Sequence, residues 1–235
     1  MGREIGSGLA GLGEDNGLRL GILGGTFDPI HYGHLRVAEE AWEVLGLERV
    51  LLVPGASPPH KGKMDISPFS DRFTMTIMAA EGSPVLEATD LEGHREGFSY
   101  SIETLKEIHR IYGPGLELFF IIGMDAFLEI KSWKKYKDLF KETNFIVIKR
   151  PGFPDEALGP LLLSMDMGFK KGEKINSYEL PSSGYSVIYE ELTLLDISST
   201  RIRGLIATGR SIRFLVPEPV RLYIKEKGLY LDGRS

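Results

Sequence analysis

Apolar and polar positions along this chain switch between two periods. Leu18–Leu23, Val50–Pro54, Val85–Ala88, Leu116–Gly123 and Asn144–Lys149 are short apolar runs bounded by glycine, proline or charged residues, and they predict five strands. Between them the spacing becomes helical. Gly33–Leu45 puts Leu35, Ala38, Ala41, Trp42 and Leu45 on one stripe, and Phe69–Ala80 aligns Phe73, Ile77 and Ala80. Ser101–Tyr112 turns Leu105, Ile108 and Tyr112 inward. Strands separated by helices predict an α/β fold, a parallel β-sheet flanked by helices with right-handed crossovers. Ligands of such sheets sit beyond the carboxyl ends of the strands. Gly24, Pro54, Gly123 and Arg150 all fall at those ends, so their turns are expected to converge on one pocket.

The pattern weakens after Pro151. Within Pro151–Ser183 only Ala157–Met165 reads as a helix, and the remainder reads as loop. Val187–Tyr189 and Leu192–Leu195 are candidate short strands. Thr200–Thr208 and Glu218–Lys227 predict a small C-terminal helical portion, with Pro219 near the start of the second helix and Gly228 after its end. Met1–Gly17 holds six glycines and few large apolar groups, so it is expected to be a flexible extension that adds nothing to the fold. No repeat or linker divides the rest, and residues 18–235 read as one domain.

The stretch Gly24-Gly25-Thr26-Phe27-Asp28-Pro29-Ile30-His31-Tyr32-Gly33-His34 lies where the first strand gives way to the first helix. Both histidines project from one face of that helix's first turn. A helix N-terminus attracts phosphate through free N–H groups and its dipole, and two imidazoles add donors of adjustable charge. Capping or core packing is the alternative role for the pair. No Gly-x-x-x-x-Gly-Lys-Ser/Thr occurs, and Gly21, Gly24 and Gly25 lack dinucleotide-turn spacing.

Composition narrows the class. A chain of 235 residues that is 42% hydrophobic can fill a substantial core. A formal net charge of −5 gives no basic excess for a nucleic-acid backbone. There is no cysteine, hence no disulfide or thiolate metal site. No apolar run approaches the ~20 residues of a membrane helix, and no secretory leader pattern opens the chain. A cytoplasmic protein without nucleic-acid or membrane partners is expected, and a homo-oligomer is left open.

Five further constellations carry candidate chemistry. Lys61 closes Ser57-Pro58-Pro59-His60-Lys61 above the end of the second strand, as a phosphate ligand or a solvated surface lysine. Ile197-Ser198-Ser199-Thr200-Arg201-Ile202-Arg203 offers hydroxyls, helix-start N–H groups and a guanidinium to one anion, or forms an ordinary capped helix. Asp125, after Gly123-Met124, can accept from ribose hydroxyls or cap the next helix. Trp133 lies among Lys131, Lys134, Lys135 and Lys137, where it stacks on a flat ring or covers the sheet edge. Arg95-Glu96-Gly97-Phe98-Ser99-Tyr100-Ser101 leads into the third helix, with Ser101 as its expected N-cap. That helix mouth suits a carboxylate. His60, His94 and His109 lack metal-ligand spacing and read as surface residues.

The His-x-Gly-His turn resembles that of the nucleotidyltransferase superfamily, with its Rossmann-like sheet. Pro-Pro-His-Lys, Gly-Phe-Ser-Tyr-Ser-Ile-Glu-Thr-Leu, Ile-Ile-Gly-Met-Asp, Trp133, Ile-Ser-Ser-Thr-Arg-Ile-Arg and Gly-Arg-Ser-Ile-Arg-Phe-Leu-Val-Pro-Glu-Pro-Val narrow this. Together, from about Leu18 to Tyr230, they resemble the bacterial nicotinate mononucleotide adenylyltransferase family. Ser101 stands where the family often has Thr, a change that keeps the hydroxyl, and the first seventeen residues have no counterpart.

The resemblance implies that ATP and nicotinate mononucleotide give deamido-NAD and pyrophosphate. It implies that His31, His34 and Arg203 are catalytic. Gly24, Gly25, Thr26, Phe27, Lys61, Gly123, Asp125, Ser199 and Thr200 are then expected to bind ATP. Ser101, Trp133 and Lys134 are expected to hold the nicotinate. Mg2+ is expected as cofactor, carried mainly by the phosphates; no protein ligand is identified, since Asp28, the nearest carboxylate, is read as holding the turn. Three rivals share part of this pattern: a phosphopantetheine adenylyltransferase or cytidylyltransferase type, a tRNA synthetase fragment, and a non-catalytic nucleotide-binding sensor.

Overall fold

A computed structural model describes residues 17–57, 66–95, 97–150, 152, 154–173 and 176–231. Lys61 and residues 1–16 lie outside the described residues. The elements run β1 (Arg19–Gly25), α1 (Tyr32–Leu45), β2 (Arg49–Pro54), α2 (Phe69–Ala80), β3 (Leu86–Ala88), α3 (Ser101–Tyr112), β4 (Glu117–Gly123) and α4 (Met124–Leu128). They continue as α5 (Tyr136–Leu139), β5 (Asn144–Ile148), α6 (Leu158–Leu163), β6 (Lys170–Lys171), β7 (Ser177–Leu180), β8 (Tyr185–Glu190), α7 (Ser199–Ala207) and α8 (Glu218–Lys227).

The eight strands form one sheet in the order β3-β2-β1-β4-β5-β8-β7-β6. Pairings from β3 through β8 are parallel. The last two strands depart from the all-parallel expectation: β7 runs antiparallel to β8, and β6 antiparallel to β7. They lie in the segment expected to be loop. The turn Pro181-Ser182-Ser183-Gly184 folds that chain back as a hairpin, Gly184 taking φ +77°, a region open to glycine. Leu192–Leu195 forms no strand.

Alternation along the strands feeds two apolar layers. Leu118, Phe120 and Ile122 of β4 join α3, α4, α5 and α6 on one face. Phe119 and Ile121 join α1, α2, α7 and α8 on the other. α1 follows its predicted stripe, burying Ala38 and Ala41 and ending at Gly46 in the left-handed region. α2 follows its stripe only at Ala80: Ile77 is exposed, Phe73 is half-buried, and the inward face carries Arg72, Met75, Thr76, Ala79 and Ala80. That rotation has a cause: Arg72 donates to the carbonyls of Thr26 (2.6 Å), Ser67 (2.9 Å) and Ala56 (3.3 Å). Three backbone acceptors make the interior tolerable for a guanidinium.

Register aligns the strand ends. Gly25 pairs with Pro54, and Gly123 with Ile148, so the turns after β1, β2, β4 and β5 open on one side.

Candidate active site

A cavity of about 690 Å³ lies at that carboxyl edge. Its walls include Gly24, Gly25, Thr26 and His34 from the first turn, and Gly123, Asp125 and Arg150 from the β4 and β5 ends. Tyr100 and Ser101 at the mouth of α3, together with Trp133 and Lys134, close the opposite side. Sequence-predicted residues from both halves thus share one space.

The histidine turn is tightly built. His31 is the N-cap of α1, and its backbone N–H donates to His34 Nδ1 at 3.3 Å. The two rings stack with centroids 3.7 Å apart, and Phe27 packs edge-on against His34 at 4.9 Å. Because His34 Nδ1 accepts, the neutral imidazole carries its proton on Nε2, which is left to donate elsewhere. A Cβ on Gly33 would stand 3.0 Å from His31 Nδ1, so that position keeps the ring where it is.

Burial, and then the charge of Arg150, lower His31 from 6.5 to about 4. Burial, His31 and Arg150 likewise hold His34 well below its ordinary value. Both rings are therefore neutral in the folded chain at pH 7. Between pH 4 and pH 6.5 the unfolded chain binds more protons than the folded one, so stability is lost as pH falls through that window. Lowering the pH from 7 to 5 is expected to cost about 2 kcal/mol through His31 alone. Urea denaturation at both values checks this, and His31→Asn should flatten the dependence; an equally steep loss in that variant would contradict the assignment.

α7 approaches the same turn from behind. Ser198 caps it, accepting from the Arg201 N–H at 3.2 Å. Ser199 Oγ donates to the Pro29 carbonyl at 2.9 Å. Arg203 Nη1 donates to the Asp28 carbonyl at 2.7 Å, and Nη2 to Thr200 Oγ1 at 3.3 Å. Ser199, Thr200 and Arg203 do not line the cavity itself; Ser199 and Arg203 grip the turn that does, and Thr200 holds Arg203. Among the described residues, three buried side-chain polar atoms lack a partner: His31 Nδ1, Arg203 Nε and Thr89 Oγ1. Two of the three belong to residues expected at phosphate.

Several sequence expectations need correction. Phe27 is core, 1% exposed at φ +49°, and serves by packing His34 rather than by lining the cavity. The N-cap of α3 is Tyr100, and Ser101 is the first helical residue. No side chain caps this helix, and its first turn bonds back only from the Glu103 and Thr104 N–H groups, to the Tyr100 carbonyl. The Trp133 N–H is taken by Ile130 O at 3.0 Å, while its ring is half-buried and edge-on to Phe120. Lys134 Nζ sits 3.9 Å from the Tyr100 ring centre and 2.7 Å from Glu103, so its charge is already compensated. Asp125 does not cap α4; its carboxylate lies 3.7 Å from Arg150. Asp28 is buried, with one carboxylate oxygen bonded by Tyr230 and the other by the Ser67 N–H, and so holds the turn rather than a metal. Among the described residues no cluster of three His, Asp or Glu could hold a metal ion.

Sequence reading placed Arg150 at the pocket without giving it a role, and it missed Glu92, Ser99 and Thr104 as wall residues. Thr104 Oγ1 donates to Glu92 at 2.7 Å and accepts from Arg95 at 2.7 Å, and Arg95 also pairs with Glu107. Ser99 and Ser57 exchange two bonds, Ser99 N–H to Ser57 O at 3.1 Å and Ser57 N–H to Ser99 Oγ at 3.3 Å. These contacts fix the entry to α3. Arg150 carried a signal, since it directly follows an apolar strand on the ligand side of the sheet.

Comparison with known proteins gives concordant results. A family model described as cytidylyltransferase-like matches residues 22–205. A protein of Geotalea daltonii named "Probable nicotinate-nucleotide adenylyltransferase" is 48% identical, covering 92% of this chain and 100% of its own. One of Syntrophotalea carbinolica with the same name is 47% identical, covering 91% and 97%. The solved nicotinic acid mononucleotide adenylyltransferase of Plasmodium falciparum, complexed with NaAD, shares the fold at TM-score 0.69 and 22% identity, covering 91% of this chain and 97% of that one. No helix among the described residues is long and apolar enough to cross a membrane.

Proposed function

Because the chain belongs to the nicotinate-nucleotide adenylyltransferase family, its reaction joins the adenylyl group of ATP to nicotinate mononucleotide, releasing pyrophosphate, and we propose that the carboxyl-edge cavity performs it as follows. The observation that carries this reading is the meeting, in one cavity, of the His34 turn with the α3 mouth and Trp133.

The mononucleotide phosphate attacks the α-phosphorus of ATP in line. The nucleophile is already an anion, so the enzyme's work is alignment and stabilisation of the charge that moves to the leaving pyrophosphate. Gly24, Gly25 and Thr26 bring backbone close to the reacting phosphate. His34, through Nε2–H, and His31 donate to ATP phosphate oxygens. Ser199, Thr200 and Arg203 support the triphosphate, and Lys61 assists at the phosphates. Gly123 and Asp125 contact the adenosine. Arg150 adds positive charge on the same wall. Mg2+ bound to the ATP phosphates would neutralise charge on the leaving pyrophosphate.

The nicotinate ring stacks on Trp133. Its carboxylate meets the first N–H groups of α3, at Ser101 and Ile102, which lack a side-chain cap and sit at the positive end of the helix dipole. The Lys134 N–H, which no backbone acceptor takes among the described residues, adds a further donor to that carboxylate. We propose that residues 18–235 act as one unit and work in the cytoplasm.

Pyrophosphate release with ATP or CTP, paired with nicotinate mononucleotide or phosphopantetheine, tests the assignment. Turnover is expected only with ATP and the pyridine mononucleotide; faster turnover of phosphopantetheine or CTP would select the rival transferases. Trp133→Ala should raise KM for the mononucleotide about tenfold through lost stacking, with the ATP KM unchanged. An unchanged mononucleotide KM would remove Trp133 from the nicotinate site.

A further inference from the structure

Asp28, in the middle of the phosphate turn, is held from three separate elements. Tyr230 Oη donates to Oδ1 at 2.7 Å. The Ser67 N–H, just before α2, donates to Oδ2 at 3.2 Å. Arg203 of α7 donates to its carbonyl at 2.7 Å. The carboxylate is 3% exposed and the tyrosine 7% exposed, so no solvent replaces these donors. Ser67 is itself tied in, since its carbonyl accepts from Arg72, which also holds the carbonyl of Thr26.

Tyr230 is separated from the turn by the whole length of the domain, yet it reaches it by a strained route. Its backbone lies at φ +66°, a sparsely populated region for an aromatic residue, just after the Gly228 cap that ends α8. Burial and the neighbouring Asp28 hold its phenol well above the ordinary range, so it remains a donor. Nothing in the reaction requires a phenol here, and the ring alone would fill the apolar layer it sits in.

We infer that Tyr230 is a positioning residue for adenylyl transfer: its hydroxyl locks Asp28, and through Asp28 fixes the Thr26–His31 turn and the Arg203 guanidinium that shares it. Removal of the hydroxyl leaves a buried carboxylate oxygen without its donor. The turn then relaxes around Asp28, and the misalignment falls on the phosphate side of the cavity. Among the described residues no hydrogen bond joins Tyr230 or Asp28 directly to the nicotinate side, built on α3 and Trp133; the two sides communicate through Arg72, Ala56 and the Ser57–Ser99 bonds.

The test is a double-mutant cycle of Tyr230→Phe and Asp28→Asn, read in kcat and in both KM values, with melting temperature as a control. Tyr230→Phe is expected to lower kcat about tenfold, since small displacements of reacting groups are costly. The KM for nicotinate mononucleotide should stay within about twofold. In the Asp28→Asn background the same change should alter kcat less than about twofold, because contacting residues are not additive. An equal factor in both backgrounds overturns the inference, as does a Tyr230→Phe enzyme with unchanged kcat. If Asp28→Asn does not fold, spectra of Tyr230→Phe labelled with ¹⁵N-histidine and ¹⁵N-tryptophan decide: shifted His31 and His34 ring signals with an unmoved Trp133 indole support it, and unmoved rings, or an indole that shifts with them, overturn it. The inference rests on the adenylyl-transfer reading. An unmutated chain inactive with ATP and nicotinate mononucleotide overturns both; an active chain indifferent to Tyr230→Phe overturns this one alone.

Discussion

Replacing His34 by alanine is expected to lower kcat by about 10²–10³ while changing the KM for ATP only a few-fold. The reason lies in which nitrogen is free. Nδ1 accepts the His31 N–H, so the neutral ring carries its proton on Nε2 and offers it as a donor. The imidazole stays neutral because burial, His31 and Arg150 all disfavour its charged form. Its donor is thus preset and does not wait for a proton from solvent. Such a donor acts on charge that grows in the transition state, which lowers the barrier without tightening the ground state. Stopped assays at saturating ATP, together with the ATP KM, separate the two effects. A variant with normal kcat and a raised KM would show His34 to be a ground-state binding group only.

The largest effect on stability is expected from Arg72. Arg72→Leu keeps most of the apolar stem but removes the donors to Thr26, Ser67 and Ala56. Three carbonyls in a site where the side chain is 1% exposed then lack partners. Unsatisfied buried groups cost about 1–3 kcal/mol each, and relief of the cation's desolvation offsets part of this, so a net loss of about 3 kcal/mol is expected. That is a large share of a typical domain's stability of about 5–15 kcal/mol. Urea unfolding of the two proteins measures it. A loss below about 1 kcal/mol would mean that the three carbonyls find other donors.

Arg72 also shows why part of the molecule was hidden in the sequence. An arginine counts as polar in any periodicity, so the stripe through Phe73 and Ile77 took the place of the face that Arg72 shares with Ala79 and Ala80. Only the three carbonyls that gather around it reverse that reading, and they come from residues 26, 56 and 67, which no local pattern connects. Tyr230 was hidden in the same way, its partner Asp28 lying at the other end of the chain. By contrast, the elements with strong local signals appear where expected. β1, β2, β4, β5, α1 and α3 match their predicted spans closely, because glycine turns and apolar spacing agree there. Strands β6 and β7 were hidden because the glycine, proline and serine of that segment read as loop, although Pro181–Gly184 is itself the signal of the β7–β8 hairpin. The motif residues were legible from their turn, and the cavity unites those on both sides. What the motifs did not reveal was the division of labour: Phe27 packs, Tyr100 rather than Ser101 caps, and Ser199 and Arg203 grip the turn from behind.

The central claim is a cavity built for a mononucleotide carrying a ring carboxylate. The most direct measurement is kcat/KM for nicotinate mononucleotide against nicotinamide mononucleotide, with ATP saturating. An amide would point its NH₂ at some of the N–H donors of α3 and leave them unpaired, at about 1–3 kcal/mol each. The acid is therefore expected to be preferred by at least ~10-fold, since 1.4 kcal/mol corresponds to a factor of ten. Equal values, or a preference for the amide, would contradict the carboxylate site at the mouth of α3.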